Sequence, residues 1–281
     1  MEQDLPDVAR LVAEGSRLLG GEDGRADAEL LLAAALGRDR AWLYAHADAV
    51  PEPAVRAQFD QWLGRRADGV PVAHLLGRQE FWSLPLAVTA DTLVPRPETE
   101  RLVELALERI APRSAQALLD LGTGSGAIAL ALARERPSAR VTAVDREAGA
   151  LQVARRNAAR LGLERVRWLR GDWFSPVRGE RYALIASNPP YLAADDPHLQ
   201  SGLRHEPRQA LVAGSDGLDD LRAIIAAAPP HLEDGGWLLL EHGLTQAVAV
   251  RNLLLARGFT QVQTWQDLEA RDRVSGGRWD G

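Results

Sequence analysis

Residues 120–127 read Asp120-Leu121-Gly122-Thr123-Gly124-Ser125-Gly126-Ala127, between a short apolar run at 117–121 and an alanine/leucine block at 127–135. A strand that turns through glycines into a helix opens a nucleotide-binding α/β unit. The glycines permit a tight turn and a close ligand, and the helix start offers free N–H groups. The alternation continues downstream. Strands are expected at 117–121, 140–145, 166–170, 183–187 and 236–241, and helices at 127–135, 148–161, 218–231 and 245–257. A last pair, 261–265 and 273–279, reads as an antiparallel edge hairpin. The spacing predicts a doubly wound α/β sheet with ligands at the carboxyl ends of its strands.

Residues 1–75 follow a different rhythm. Leu11, Leu18 and Leu19 keep helical spacing up to Gly20-Gly21, a leucine/alanine block at 28–36 ends at Gly37, and Val55, Phe59, Trp62 and Leu63 share one helix face. Thirteen acids and eight arginines up to Asp68 give this part a net charge of −5. It holds no recognisable catalytic cluster and reads as a small helical bundle that packs or recognises a partner. The stretch from Phe81 to Thr89 looks like a hairpin. The expected division is a helical domain at 1–75, a hairpin linker at 76–90 and the α/β domain at 91–281. No internal repeat appears.

Composition removes whole chemistries. The 281 residues include no cysteine and no lysine, so all 33 basic side chains are arginine. That excludes a Schiff-base lysine, a cysteine nucleophile, a thiolate metal site and a disulfide framework. No apolar run approaches the roughly 20 residues of a membrane helix, and the acidic start Met1-Glu2-Gln3-Asp4 is unlike a secretion signal. A cytoplasmic protein without a membrane partner is expected. A net charge of −6 and the lack of a basic run argue against a nucleic-acid footprint.

Three loops fall where such a sheet binds ligands. The first is the glycine turn, which also satisfies the dinucleotide fingerprint in its Gly/Ala form. The second carries Asp145, 19 residues after Gly126 at the end of the next strand. An acid there accepts hydrogen bonds from both ribose hydroxyls of an adenosine, though it could equally cap the following helix. Neither loop separates NAD from S-adenosylmethionine. The third does: Asn188-Pro189-Pro190-Tyr191 follows the strand at 183–187. Its two prolines remove two backbone donors and fix two φ angles, leaving stiff carbonyl acceptors beside the Asn188 side-chain oxygen. A nitrogen that donates two N–H bonds, an amide or an exocyclic amine, fits those acceptors.

This combination resembles the Rossmann-like amino-group methyltransferases that use S-adenosylmethionine. Longer motifs resemble one family, the peptide chain release factor glutamine methyltransferases. They are Pro71-Val72-Ala73-His74-Leu75, Glu80-Phe81-Trp82-Ser83-Leu84-Pro85-Leu86, Val94-Pro95-Arg96-Pro97-Glu98-Thr99-Glu100, Gly171-Asp172-Trp173-Phe174, Asp196-Pro197-His198-Leu199 and Leu240-Glu241-His242-Gly243. The resemblance implies a class I methyltransferase sheet with a helical N-terminal domain and a hairpin. It implies that Gly122, Thr123, Gly124, Ser125 and Gly126 hold the methionine and ribose side of S-adenosylmethionine, and that Asp145 takes the ribose hydroxyls. Asp172 and Trp173 would border the adenine. Asn188 would lie between cofactor and substrate, with Pro189, Pro190 and Tyr191 completing the glutamine site and no metal involved. The substrate implied is the glutamine of the Gly-Gly-Gln loop in a class I release factor, and the enzyme is expected as a monomer. One departure stands out: the family's usual Arg-Phe-Glu-Pro reads Arg204-His205-Glu206-Pro207 here.

In the expected mechanism the Asn188 oxygen and the Pro189 carbonyl each accept one N–H of the substrate amide, Tyr191 packs beside it, and positioning supplies the acceleration. The rival readings are a DNA or RNA adenine methyltransferase, whose flipped base also offers an amine, a non-catalytic S-adenosylmethionine-binding protein, and a nicotinamide dehydrogenase. The last leaves the Pro-Pro loop unexplained.

Overall fold

A computed structural model describes residues 5–281, and the acidic start at 1–4 lies outside them. The chain divides into two units, one ending at Gly77 and one running from Arg78 to Gly281.

Among the described residues the first unit holds five helices: α1 (Val8–Leu19), α2 (Gly24–Leu36), α3 (Arg40–Ala45), α4 (Pro53–Ala67) and α5 (Val72–Leu76). Asp7 caps α1 by accepting the Arg10 N–H at 2.8 Å, the role a short acid fills at a helix start. Leu11, Leu31, Leu32, Phe59 and Leu63 meet in its core. Gly15 lets the helices close up, since a Cβ there would lie 3.0 Å from that of Ala28. Helices α3 and α5 span only 6 and 5 residues, too short to show a period in the sequence.

The second unit opens with a hairpin, β1 (Arg78–Phe81) and β2 (Leu84–Ala87), turned at Trp82 and Ser83 with φ of 53° and 54°. Phe81, Leu84 and Leu86 are buried in the same cluster as Leu102, Leu105 and Leu118. The sequence reading set 76–90 apart as a linker. Instead, β1 and β2 are part of the wall of the α/β unit, because three of their apolar side chains have their core there.

A 3₁₀ turn (Pro97–Thr99) then leads into α6 (Glu100–Arg109), followed by β3 (Ala117–Leu121), α7 (Ala127–Glu135), β4 (Arg140–Asp145), α8 (Ala148–Leu161), β5 (Arg167–Arg170), β6 (Tyr182–Ser187), α9 (Asp219–Ala227), β7 (Leu232–Glu241), α10 (Ala247–Arg257), β8 (Thr260–Gln266) and β9 (Asp272–Trp279). The seven strands lie in the order β5-β4-β3-β6-β7-β9-β8, with β9 antiparallel to both its neighbours. The terminal hairpin thus forms, but its second strand inserts beside β7 and leaves β8 at the edge. The expected helix at 218–231 stops at Ala227 and gives way to a 3₁₀ turn at Pro229–His231, where consecutive prolines cannot continue an α-helix.

Successive strand residues face opposite layers. Leu118, Leu184 and Leu239 join α6 and α7 on one side, while Leu119, Ile185, Leu238 and Leu240 join α9 and α10 on the other. Burial on both faces explains the unbroken apolar runs of the parallel strands. Strand order reverses between β3 and β6. The loops after those two strands therefore meet at the carboxyl edge of the sheet, the place where such folds take ligands.

Candidate active site

The turn after β3 is held from inside. Gly122 and Thr123 donate their N–H groups to the Val144 carbonyl at 2.9 and 3.0 Å. The Thr123 hydroxyl and the Ala129 N–H both donate to Asp120 Oδ2, at 2.6 and 3.1 Å. Asp120 is fully buried, and that burial pushes its carboxyl up to about 7. Gly126 sits at φ 88°, in the left-handed region, and a Cβ there would come within 3.1–3.2 Å of Leu130, Trp168 and Ala154. Only glycine suits both the dihedral and the space.

Asp145 ends β4 and uses both oxygens: Oδ2 accepts the Gly124 N–H and Oδ1 the Glu147 N–H, each at 2.9 Å. Burial raises its pKa. One carboxylate therefore ties the glycine turn to the start of α8 and still has lone pairs free at the cleft. Across from it, Trp173 takes φ 43°, an uncommon conformation for a tryptophan. Its ring borders Gly122, where a Cβ would lie 3.4 Å from Cζ3.

After β6, Asn188 donates from Nδ2 to the Thr99 hydroxyl at 3.1 Å. Thr99, at the end of the 3₁₀ turn, is buried. Pairing of Ser187 with Leu240 brings Glu241, the last residue of β7, alongside Asn188. Burial pushes the Glu241 carboxyl up to about 7, against the opposing influence of the Thr99 hydroxyl and Arg273. Burial likewise raises the Tyr191 phenol. The backbone of the Asn188–Tyr191 turn is anchored as well. The Tyr191 N–H donates to the Leu211 carbonyl at 3.2 Å, and its carbonyl accepts Gln246 Nε2 at 2.9 Å.

A cleft joins these loops. Of the residues singled out from sequence, Gly122, Gly124, Asp145, Asp172, Trp173, Asn188 and Pro190 line it. Thr123 and Ser125 are buried within the turn; the Ser125 carbonyl accepts Asn157 Nδ2 at 2.9 Å. Gly126, Pro189 and Tyr191 stand behind the lining. Two stretches that the sequence did not mark as cleft walls are Asp91-Thr92-Leu93 and Pro207 with Gln209-Ala210. Glu206 joins them: its buried carboxylate accepts the Val94 N–H at 2.9 Å and pairs with Arg96. This contact gives the Pro95-Arg96-Pro97 loop a partner. His205 accepts from Arg204 Nε at 3.0 Å and is outside the lining.

The donor set suits an adenosyl amino acid. Glycine backbone, an acid and an indole surround one cleft, and an anchored amide stands at its end.

Known proteins match this chain along most of its length. The family model for the methyltransferase small domain matches residues 100–215, and that for the PrmC N-terminal domain matches residues 11–77. A release factor glutamine methyltransferase of Xylella fastidiosa is 54% identical, covering 92% of this chain and 94% of its own length. One from Pseudomonas aeruginosa is also 54% identical, covering 94% and 96%. Among solved structures, a methyltransferase from Pyrococcus furiosus aligns with a TM-score of 0.54 at 18% identity, over 69% of this chain and 88% of that one. That likeness speaks for the fold alone.

Proposed function

The chain belongs to the release factor glutamine methyltransferase family, and from that premise we propose that it methylates the side-chain amide nitrogen of the glutamine in the Gly-Gly-Gln loop of class I release factors. One observation carries the chemistry: Asn188 spends its Nδ2 on Thr99, so its oxygen is left to accept a substrate N–H at the cleft.

S-adenosylmethionine, when bound, supplies an electrophilic methyl group. Gly122 and Gly124 would line its amino-acid side, Asp145 would accept the ribose hydroxyls, and Asp172 and Trp173 would border the adenine. The protein's own work is to aim a poor nucleophile. An amide nitrogen shares its lone pair with the carbonyl, so its orientation must be imposed. The Asn188 oxygen and the Pro189 carbonyl each accept one N–H, and Tyr191 closes the side of the substrate amide. Holding the reacting atoms in line can account for several kcal/mol of barrier, up to about 7–11 in favourable cases. The nitrogen sheds its proton to solvent after methylation, so no strong base is required of the chain. Glutamate offers no hydrogens to either acceptor, and unpaired buried acceptors cost discrimination of about 10⁴-fold or more.

The five-helix unit fits a substrate-recognition domain, a reading supported by the match of residues 11–77 to the PrmC N-terminal domain. Among the described residues no helix is long and apolar enough to cross a membrane. A cytoplasmic, monomeric enzyme without direct nucleic-acid contact completes the proposal.

The test incubates the protein with S-adenosylmethionine and a Gly-Gly-Gln release factor, then weighs the peptide that carries the glutamine. A gain of one methyl there, absent in a Gly-Gly-Glu control, is expected. No gain in the Gly-Gly-Gln peptide would overturn the assignment.

A further inference from the structure

We propose that Gln246 is a positioning residue for methyl transfer, holding the far end of the Asn188–Tyr191 turn so that the Pro189 carbonyl meets the substrate amide. The inference rests on the glutamine-methylating reading above and deepens it.

Gln246 is the N-cap residue of α10, yet its side chain makes no capping bond to that helix, where a shorter Ser, Thr, Asp or Asn would serve better. It reaches the other way and joins three loops. Its Oε1 accepts the Gly243 N–H at 2.9 Å, and its Nε2 donates to the Tyr191 carbonyl at 2.9 Å and to the Gly217 carbonyl at 3.2 Å. All three partners are backbone groups, one donor and two acceptors. A primary amide matches that set, whereas a carboxylate only accepts. Two glycines make room for it. Gly217, at φ 74°, has no space for a Cβ beside the Tyr191 carbonyl, and a Cβ at Gly243 would lie 3.1 Å from Gln246 Oε1. Gly243 is held on its other side too, since its carbonyl bonds His242 Nδ1 at 2.9 Å.

The bond to Tyr191 matters because of what precedes it. Pro189 and Pro190 have no N–H to anchor them, and their φ angles are fixed. The turn therefore takes its aim from its two ends. At the start, Asn188 Nδ2 donates to the Thr99 hydroxyl. At the finish, the Tyr191 N–H donates to the Leu211 carbonyl, and the Tyr191 carbonyl accepts from Gln246. Two fixed φ angles leave little to absorb a shift at Tyr191, so it is carried to the Pro189 carbonyl. Leu192 bridges to Val212, and the same Gln246 nitrogen that grips Tyr191 also grips Gly217 in that neighbouring segment.

Two variants of the full chain test this role. Gln246→Met keeps the length and removes all three bonds. Gln246→Glu keeps the acceptor and turns the donor into a second acceptor. Methyl transfer to a Gly-Gly-Gln release factor, S-adenosylmethionine affinity and thermal melts are measured together. Gln246→Met is expected to lower kcat by about 10- to 100-fold, the scale of a small misplacement of reacting atoms. KM and cofactor Kd should stay within about threefold. Gln246→Glu should be slower still at about pH 8, where its carboxylate faces two carbonyls. A protonated carboxyl regains one donor. The ratio of its kcat to that of wild type should therefore rise at least about fivefold as pH falls from about 8 to about 6. That ratio cancels groups that titrate in both proteins, among them Glu241, His242, Tyr191 and the Asp216–Arg222 pair.

A kcat for Gln246→Met within about threefold of wild type would overturn the role, as would a loss shared equally by kcat and cofactor affinity. Should Gln246→Met fail to fold, the Gln246→Glu ratio decides, and a ratio that stays flat with pH overturns the proposal. A wild-type protein that leaves the glutamine unmethylated would instead fail the functional assignment, so the two failures are distinct.

Discussion

Replacing Asp145 by asparagine should damage cofactor binding far more than so small a change suggests. Both carboxylate oxygens already accept backbone N–H groups, those of Gly124 and Glu147, at 2.9 Å. An asparagine has one oxygen and one NH₂. Whichever way it turns, one of those N–H groups meets a donor. Leaving a buried N–H unpaired costs about 1–3 kcal/mol. The ribose hydroxyls also exchange a charged acceptor for a neutral one, at about 1 kcal/mol or more. The ribose contacts alone bear on binding and predict a loss of about 1–2 kcal/mol, or roughly 5- to 30-fold in the Kd for S-adenosylmethionine. The unpaired N–H is present without cofactor too, so the free protein should melt below wild type, by less than the full cost because burial already disfavours the Asp145 charge. Isothermal titration with S-adenosylmethionine, beside a thermal melt without it, separates the two effects. Asp145→Asn binding within about threefold of wild type would refute the ribose contact, and an unchanged melt would refute the two-acceptor argument.

Asp120 gives the opposite case. Its Oδ2 takes both donors while Oδ1 has no partner, so an amide nitrogen fits the empty side. The native carboxyl is raised to about 7 against about 3.9 unfolded. The stability it carries is complete below about pH 4 and is lost as pH rises to 7, by at most about 1.4 kcal/mol per pH unit. Asp120→Asn should therefore gain on wild type between about pH 5 and pH 8, read as urea midpoints; parallel pH curves would count against it. Asn188→Ala should lower turnover at least on the order of 10²–10³-fold, with cofactor affinity within about tenfold. Near-normal turnover by that variant would end the acceptor role of Asn188. Gly126→Ala adds a Cβ at φ 88°, against Leu130, Trp168 and Ala154. It should destabilise the protein by about 1–3 kcal/mol in a denaturation curve, and a cost below about 0.5 kcal/mol would speak against the strain.

The strands and helices around the glycine turn were legible because each is a short buried run bounded by Gly, Pro or Asp. β3, α7, β4 and α8 span the residues expected of them. The turn itself was legible for the same reason: its chemistry lies in consecutive residues. What escaped was contact between residues distant in the chain. Nothing local ties Thr99 to Asn188, 89 positions later, or Val94 to Glu206, 112 positions later. The Asp91-Thr92-Leu93 wall has no periodicity to announce it. Nor does any pattern within β8 and β9 say which of them pairs with β7. The inward turn of Thr123 and Ser125 is invisible too, since a glycine turn reads alike whether its hydroxyls face a ligand or Asp120.

Asn157, on α8, is a buried side chain that bonds three backbone groups. Its oxygen accepts the Ala87 N–H at 2.7 Å, and its nitrogen reaches the Ala87 carbonyl at 3.0 Å and that of Ser125 at 2.9 Å. The hairpin end and the cofactor turn are thus riveted through one amide. The methyltransferase module is consequently inherited whole only from Arg78 onward. A chain begun at 91, where the pattern of alternating strands and helices would place the boundary, leaves that amide with two of its three bonds unmade beneath the cofactor turn. Shuffling or transplanting this catalytic body means carrying the hairpin along as its foundation.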